Sequence, residues 1–269
     1  MIKELLSKHN LRLNKDLGQH FIADVNILNK IVSAADISNK DLVLEIGSGI
    51  GTLTKPLAEK AGFVIAVEID EKFIPAASEY LEGVKNVDIV IHDIMKLNIG
   101  KEVSKHPGFK HIKVVANLPY YITSPVISRL LEDKVKFETL LFTVQREVAR
   151  RIVSAPGNKD YGSFTVFVNY YAKPSIVYNI PASSFVPRPK VDSSVIRLDV
   201  LKKPSVKVKD EKLFFRIVRG AFNQRRKMLK NALEAAQIKW PDETDIDGKR
   251  RGETLSIEEF AQLSNSCSS

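Results

Sequence analysis

Between residues 42 and 144 the chain alternates apolar runs of strand length with segments whose apolar residues recur at helical spacing. That rhythm leaves few folds open. The expected strands are residues 42–46, 64–69, 87–91, 112–116 and 140–144, and the expected helices 50–61, 73–81, 126–131 and 146–153. Parallel strands need a crossover between them, so this repeated βαβα pattern predicts a doubly wound α/β sheet with helices on both faces. Ligands of such sheets bind beyond the carboxyl ends of the strands.

Past Val153 the pattern changes. Residues 154–162 read as a loop, and residues 164–171, 176–180 and 195–200 as strands with short connections. Pro181, Pro187 and Pro189 interrupt the last two, and Lys202-Lys203-Pro204 reads as a linker. Residues 211–222, 225–236 and 257–263 are expected helices, with a frayed end from Ser264. The expected division is a catalytic domain over residues 1–201 and a small basic helical domain over 202–269.

Charge is concentrated in that tail. From Lys202 to Lys230 there are 7 Lys and 4 Arg against Asp210 and Glu211, a net +9. The whole chain of 269 residues also carries +9, so the rest balances to zero. A neutral body with one basic segment favours a polyanion partner over a merely soluble surface. No stretch approaches the ~20 apolar residues of a membrane span, and the amino-terminal residues are too charged for a signal peptide. The single cysteine, Cys267, excludes a disulfide framework or a cysteine zinc site within one chain. His9, His92, His106 and His111 are scattered without a ligating pair, so no metal site is expected. Cytoplasmic residence is the expectation.

The chemistry lies at the strand ends. Glu45-Ile46-Gly47-Ser48-Gly49-Ile50-Gly51 follows the first strand, and its glycines let backbone approach a ligand closely. With glycines at 47, 49 and 51 and none at 52, the spacing fits an S-adenosylmethionine (AdoMet) loop better than a dinucleotide fingerprint. Glu68 closes the second strand, where a carboxylate accepts both ribose hydroxyls. Asp93 closes the third, in reach of an adenine amine. Three acidic strand ends beside a glycine loop form a convergent set, although each alone reads equally well as a cap or a solvated acid.

Asn117-Leu118-Pro119-Tyr120 follows the fourth strand. An adenine exocyclic amine is a poor nucleophile because its lone pair is delocalised into the ring. The Asn117 oxygen and the Leu118 carbonyl are two acceptors that favour a pyramidal nitrogen and aim its lone pair at a methyl group. Pro119 fixes the turn, and Tyr120 is expected to stack on the base. A duplex base cannot reach such a pocket and must be extruded or unpaired. Phe185, on a proline-stiffened loop, is the candidate for a second aromatic face; a buried core residue is the competing reading.

These residues, in this order, resemble a known family. Leu17-Gly18-Gln19-His20-Phe21-Ile22, the glycine loop, the 117–120 run, Phe185-Val186-Pro187-Arg188-Pro189-Lys190-Val191-Asp192-Ser193 and Ala221-Phe222-Asn223-Gln224-Arg225-Arg226-Lys227-Met228-Leu229 are similar to motifs of KsgA-type small-subunit ribosomal RNA adenine N6,N6-dimethyltransferases. The last two runs are the specific ones, and the resemblance covers about residues 13–263. It implies a Rossmann-like AdoMet-dependent methyltransferase sheet and dimethylation of two adjacent adenosines in the 3′-terminal hairpin loop of 16S rRNA. The implied setting is late assembly of the 30S subunit, with the enzyme a monomer. Carried over by position, the cofactor contacts are His20, Ile22, Gly47, Gly49, Glu68, Asp93 and Asn117. His20 stands where asparagine is commoner, and histidine still donates one hydrogen bond.

The resemblance also gives the basic residues a role. Arg219, Arg225, Arg226, Lys227 and Lys230 are expected against rRNA phosphates, with Arg146, Arg150 and Arg151 at helix-face spacing. Caps and ion pairs with Glu147 are the bland alternative. Three other functions stay open. One is the macrolide-resistance class that modifies 23S rRNA, against which the 185–193 and 221–229 runs argue. Another is a non-catalytic binding factor on the same fold. An NAD-dependent dehydrogenase is disfavoured by the glycine spacing.

Overall fold

The computed structural model describes residues 2–13 and 18–267. Its strands are β1 (Phe21–Ile22), β2 (Asp41–Ile46), β3 (Phe63–Glu68), β4 (Val87–Ile91), β5 (His111–Asn117), β6 (Thr139–Gln145), β7 (Ala172–Ile180), β8 (Phe185–Val186) and β9 (Ser193–Val200). The helices begin with α1 (Ile2–Lys8), α2 (Val25–Ala34), α3 (Thr54–Ala58), α4 (Ile74–Tyr80), α5 (Ile99–Ser104) and α6 (Thr123–Glu132). They continue with α7 (Arg146–Ile152), α8 (Ser163–Tyr171), α9 (Glu211–Asn223), α10 (Leu229–Ala235) and α11 (Ile257–Cys267). Two compact units result: Met1–Ala149 with Ser175–Val200, and Arg150–Pro174 with Leu201–Ser269.

The first unit is built on a seven-stranded sheet of order β4-β3-β2-β5-β6-β9-β7. The five strands expected from the sequence are all present and run parallel; β9 pairs antiparallel with β6. Every residue of β2 is buried, as a parallel strand covered on both faces requires, whereas β4 at the edge is partly exposed. From β2 the chain winds outward to β3 and β4, then returns to add β5 on the other side. The crevice therefore opens at the carboxyl ends of β2 and β5. Register carries the argument to single residues. Ile46 stands opposite Ala116 and Val67, and Glu68 opposite Ile91. Gly47, Asn117, Glu68 and the residues after Ile91 thus reach one end of the sheet.

Helix α3 is much shorter than the 50–61 pattern suggests, because the glycine-rich turn extends to Leu53 before regular helix begins. A two-stranded ribbon, β1 with β8, pairs Ile22 with Phe185 and Phe21 with Val186.

The second unit corrects the reading of residues 164–171 as a strand. Their aromatic and β-branched composition suits a sheet, yet they form α8, whose first turn is fixed by the Gly162 N–H donating to Thr165 Oγ1 at 3.1 Å. Burial settles the choice. Val166 and Tyr170 pack with Phe214, Phe215, Ile217, Leu233 and Phe260 in one apolar core, and a helix apolar nearly all round is a buried one. The unit therefore takes in residues 150–174 as well as the tail, and differs from the 202–269 segment expected.

The tail departs from expectation in two further places. Residues 225–228 form a turn, and α10 starts at Leu229. The Arg225 guanidinium is committed to the carbonyls of Lys159 and Tyr161, at 3.0 and 2.6 Å, which holds that turn out of the helix. The end is not frayed at Ser264. Helix α11 continues to Cys267, with Ser264 buried and Asn265 Oδ1 accepting from the Lys209 N–H at 2.8 Å.

Candidate cofactor and catalytic site

A cavity of ≈ 470 Å³ lies at the carboxyl ends of β2, β3 and β5, a volume that suits a nucleoside-sized ligand. Gly47, Gly49, Glu68, Asp93, Asn117, Pro119 and His20 line it, so the sheet brings together most of the residues singled out by sequence. Gly47 has φ 75° and a Cβ there would meet no protein atom within 4 Å; the space beside it is the cavity. Gly49 has φ 55°, and a Cβ on it would strike the Phe21 ring. The loop is therefore held from behind by the segment that carries β1.

Glu68 is only 6% exposed. Its Oε2 accepts the Gly49 N–H at 2.7 Å, and its Oε1 accepts the Ile69 and Asp70 N–H groups at 2.8 and 2.9 Å. Burial raises its pKa, and these three backbone donors pull the other way. One carboxylate thus orients both the glycine loop and the turn after β3. Glu45 lies behind the same loop, 1% exposed, with Oε2 unpartnered. Burial pushes its pKa up to about 8, against the nearby Thr54 hydroxyl and with a smaller push from Glu68.

At the third strand end, Asp93 Oδ1 accepts the Met95 N–H at 2.9 Å and shapes the 93–97 turn. Arg129, on α6, donates to the carbonyls of Met95 and Leu97 and ties that turn to the helix following the 117–120 run. Sequence reasoning missed Arg129, because an arginine on a helix face carries no sign of which carbonyls it will meet.

The 117–120 run has a directed geometry. Asn117 Nδ2 donates to the His20 carbonyl at 2.6 Å. Only the amino end of an amide can pair with a carbonyl, so the oxygen is the end left over for a ligand. His20 is itself fixed, with Nδ1 2.7 Å from the Pro187 carbonyl and its ring 5.9 Å from that of Tyr120. Leu118 as a whole residue is 2% exposed and is not among the residues that line the cavity. Tyr120 is half-buried, its hydroxyl 2.8 Å from Ser193 Oγ, and desolvation raises its pKa. Tyr120 is not among the residues that line the cavity, whereas Tyr121 is.

The family model for ribosomal RNA adenine dimethylases matches residues 10–269. The chain belongs to that family. Like its other members it is an AdoMet-dependent methyltransferase enzyme. It is 45% identical to a protein of Alkaliphilus oremlandii named ribosomal RNA small subunit methyltransferase A, over 98% of this chain and 94% of the relative. A Clostridium botulinum protein of the same name is 46% identical over 98% and 97%. Among solved structures, a dimethyladenosine transferase from Plasmodium falciparum superposes with TM-score 0.74 at 26% identity, covering 90% of this chain and 95% of that one. The 23S rRNA methyltransferase ErmE does so with TM-score 0.71 at 25% identity, covering 93% and 100%.

Two residues carried over from the family's motifs lie elsewhere. Ile22 and Phe185 face each other across the β1–β8 pair, each 2% exposed, in a core with Leu28, Ile31 and Val195. Antiparallel pairing turns both side chains into that core, and neither residue is among those that line the cavity. Leu17 lies outside the described residues.

The basic residues named for RNA are all exposed. Arg146, in the first unit, stands 3.9 Å from Asp192. In the second unit Arg151 and Arg225 line one cleft with Lys159, while Arg225 also faces Glu253 at 3.5 Å. Arg225 is thus largely a structural tie. Among the described residues no cluster of His, Cys, Asp or Glu could hold a metal ion, and no helix is long and apolar enough to cross a membrane.

Proposed function

We propose that this enzyme dimethylates the N6 amines of two adjacent adenosines in the 3′-terminal hairpin loop of small-subunit (16S) rRNA during assembly of the 30S subunit. The small-subunit names of relatives at 45–46% identity support the substrate. The orientation of Asn117 carries the chemistry: with Nδ2 committed to His20, Oδ1 is the acceptor turned to the adenine.

The residues fit AdoMet. Gly47 leaves open space where a side chain would stand, and Glu68 holds a partly desolvated carboxylate in reach of ribose hydroxyls. His20, Gly49 and Asp93 complete the wall. Bound there, AdoMet supplies an electrophilic methyl group. Asn117 accepts a hydrogen bond from one amine N–H and the Leu118 carbonyl from the other, which localises the nitrogen lone pair, and the one proton released on alkylation passes to solvent. Pro119, at φ −56° and ψ 132°, fixes the turn that follows the two acceptors. No strong base is needed, since the nitrogen becomes acidic as it is alkylated. The exposed cations Arg150, Arg151, Arg219, Arg226, Lys227 and Lys230 of the second unit, and Arg146 of the first, hold phosphates.

Methyl incorporation into small-subunit particles that lack the modification tests the clamp. Asn117→Ala is expected to lose roughly 100-fold or more in turnover, the scale of a lost transition-state hydrogen bond. AdoMet binding should weaken far less. Undiminished turnover would refute the assignment.

A further inference from the structure

Residues 18–22 form a strap that joins two strand ends of the cavity. Gly18, Gln19, His20 and Phe21 all line it. Its far end is anchored: Phe21 and Ile22 are buried and pair with β8 in a two-stranded ribbon outside the seven-stranded sheet. Gly18, Gln19 and His20 are only half-buried. Gln19 Nε2 donates to Asp70 Oδ2 at 3.3 Å, and the Asp70 N–H donates to Glu68. On the other side the His20 carbonyl accepts Asn117 Nδ2 at 2.6 Å, and His20 Nδ1 donates to the Pro187 carbonyl. A Cβ on Gly18, at φ 64°, would come within 3.2 Å of Pro119 Cβ, so the strap lies directly on the clamp's turn.

One short segment is thus both a wall of the cofactor cavity and the group that orients the catalytic amide. Asn117 depends on it. Without the His20 carbonyl, a planar amide presents its NH2 as readily as its oxygen. An NH2 facing an adenine N–H sets donor against donor. A segment held over a cavity by a few bonds opens at a lower free energy than the sheet beneath it. A ligand that touches only the closed form shifts the balance towards closure. We propose that the strap couples the two substrates. Closed over the cofactor, residues 18–20 keep the His20 carbonyl on Asn117 and so keep Asn117 Oδ1 turned to the amine. By linkage, an adenosine amine held by Asn117 keeps the strap closed and tightens the cofactor by the same factor.

This inference rests on the proposed function, and the test separates the two. The Kd of wild type for S-adenosylhomocysteine, the cofactor without its transferable methyl, is measured alone and with saturating small-subunit particles. The particles either lack the modification or are already dimethylated. Unmodified particles are expected to tighten the Kd roughly fivefold or more, the lower end of ordinary coupling between sites. Dimethylated particles should leave it unchanged, because their amines have no N–H for Asn117 to accept. Asn117→Asp keeps an acceptor for the amine but has no donor for the His20 carbonyl. In that variant the tightening should vanish, with the thermal midpoint showing that it is folded. Unmodified particles that leave the wild-type Kd unchanged, or dimethylated ones that tighten it equally, overturn the inference, and methyl transfer to small-subunit rRNA would leave the function standing. So would an Asn117→Asp variant that keeps the full tightening. A wild type that leaves small-subunit rRNA unmethylated removes both.

Discussion

Asn117 shows how a side chain acquires direction. Its amide has two ends, and the His20 carbonyl takes the donor end, so the acceptor end is what a ligand meets. Glu45 is an equally constrained group with the opposite consequence. Its carboxyl is buried as the neutral acid up to about pH 8, while the unfolded chain ionises near the ordinary value of 4.5. Between those values the native state binds more protons than the unfolded state, so stability falls as pH rises through that window. Glu45→Gln, which cannot ionise, should gain on wild type by at most about 1.4 kcal/mol per pH unit across the window and no further above it. Denaturant titrations at several pH values check this, and a gap independent of pH would contradict it. Sequence made Gly47, Gly49, Glu68, Asp93 and Asn117 legible because each ends a strand whose direction the alternation fixes. It left Phe185 open between a stacking face and the core, since the choice depends on its pairing with Ile22, 163 residues away.

At the scale of elements, the five parallel strands were legible to within two residues, because buried strands are continuous apolar runs. Helix α8 was not, because β-branched and aromatic residues favour strands only until a helical core has space for them. The segment around α6 has a role that neither propensity nor motif announces. Arg129 joins α6 to the 93–97 turn, so the helix that follows the amine clamp also sets the wall on the Asp93 side. Arg129→Ala should raise the KM for AdoMet about tenfold, the scale of about one charge-assisted hydrogen bond, since the tie acts on AdoMet only through the turn, with kcat changed much less. Arg129→Lys should rescue only part, since one ammonium cannot span both carbonyls as a guanidinium does. Initial-rate kinetics against AdoMet decide it; an unaltered KM would show that the turn stands without the tie.

At the scale of the whole molecule, the first unit holds the chemistry and the second most of the named cations. The run from Lys202 to Lys230 carries charge equal to the chain's net +9. Four of its cations, Lys202, Lys203, Lys207 and Lys209, precede α9, and the other seven lie on α9, on the 225–228 turn and on α10, elements packed on a shared apolar core with α8. Charge excess was legible in sequence; the inclusion of residues 150–174 in this unit was not, because it follows from the folding of α8. A polyanion substrate and an adenine clamp on one chain define the central claim, which concerns a position in RNA. The most direct measurement is to incubate the enzyme with labelled AdoMet and ribosomal particles lacking the modification, then map the label by nucleotide. The account predicts four methyl groups, two on each of two adjacent adenosines in the 3′-terminal hairpin loop of small-subunit rRNA. Label on 23S rRNA, or none on the small subunit, would contradict it.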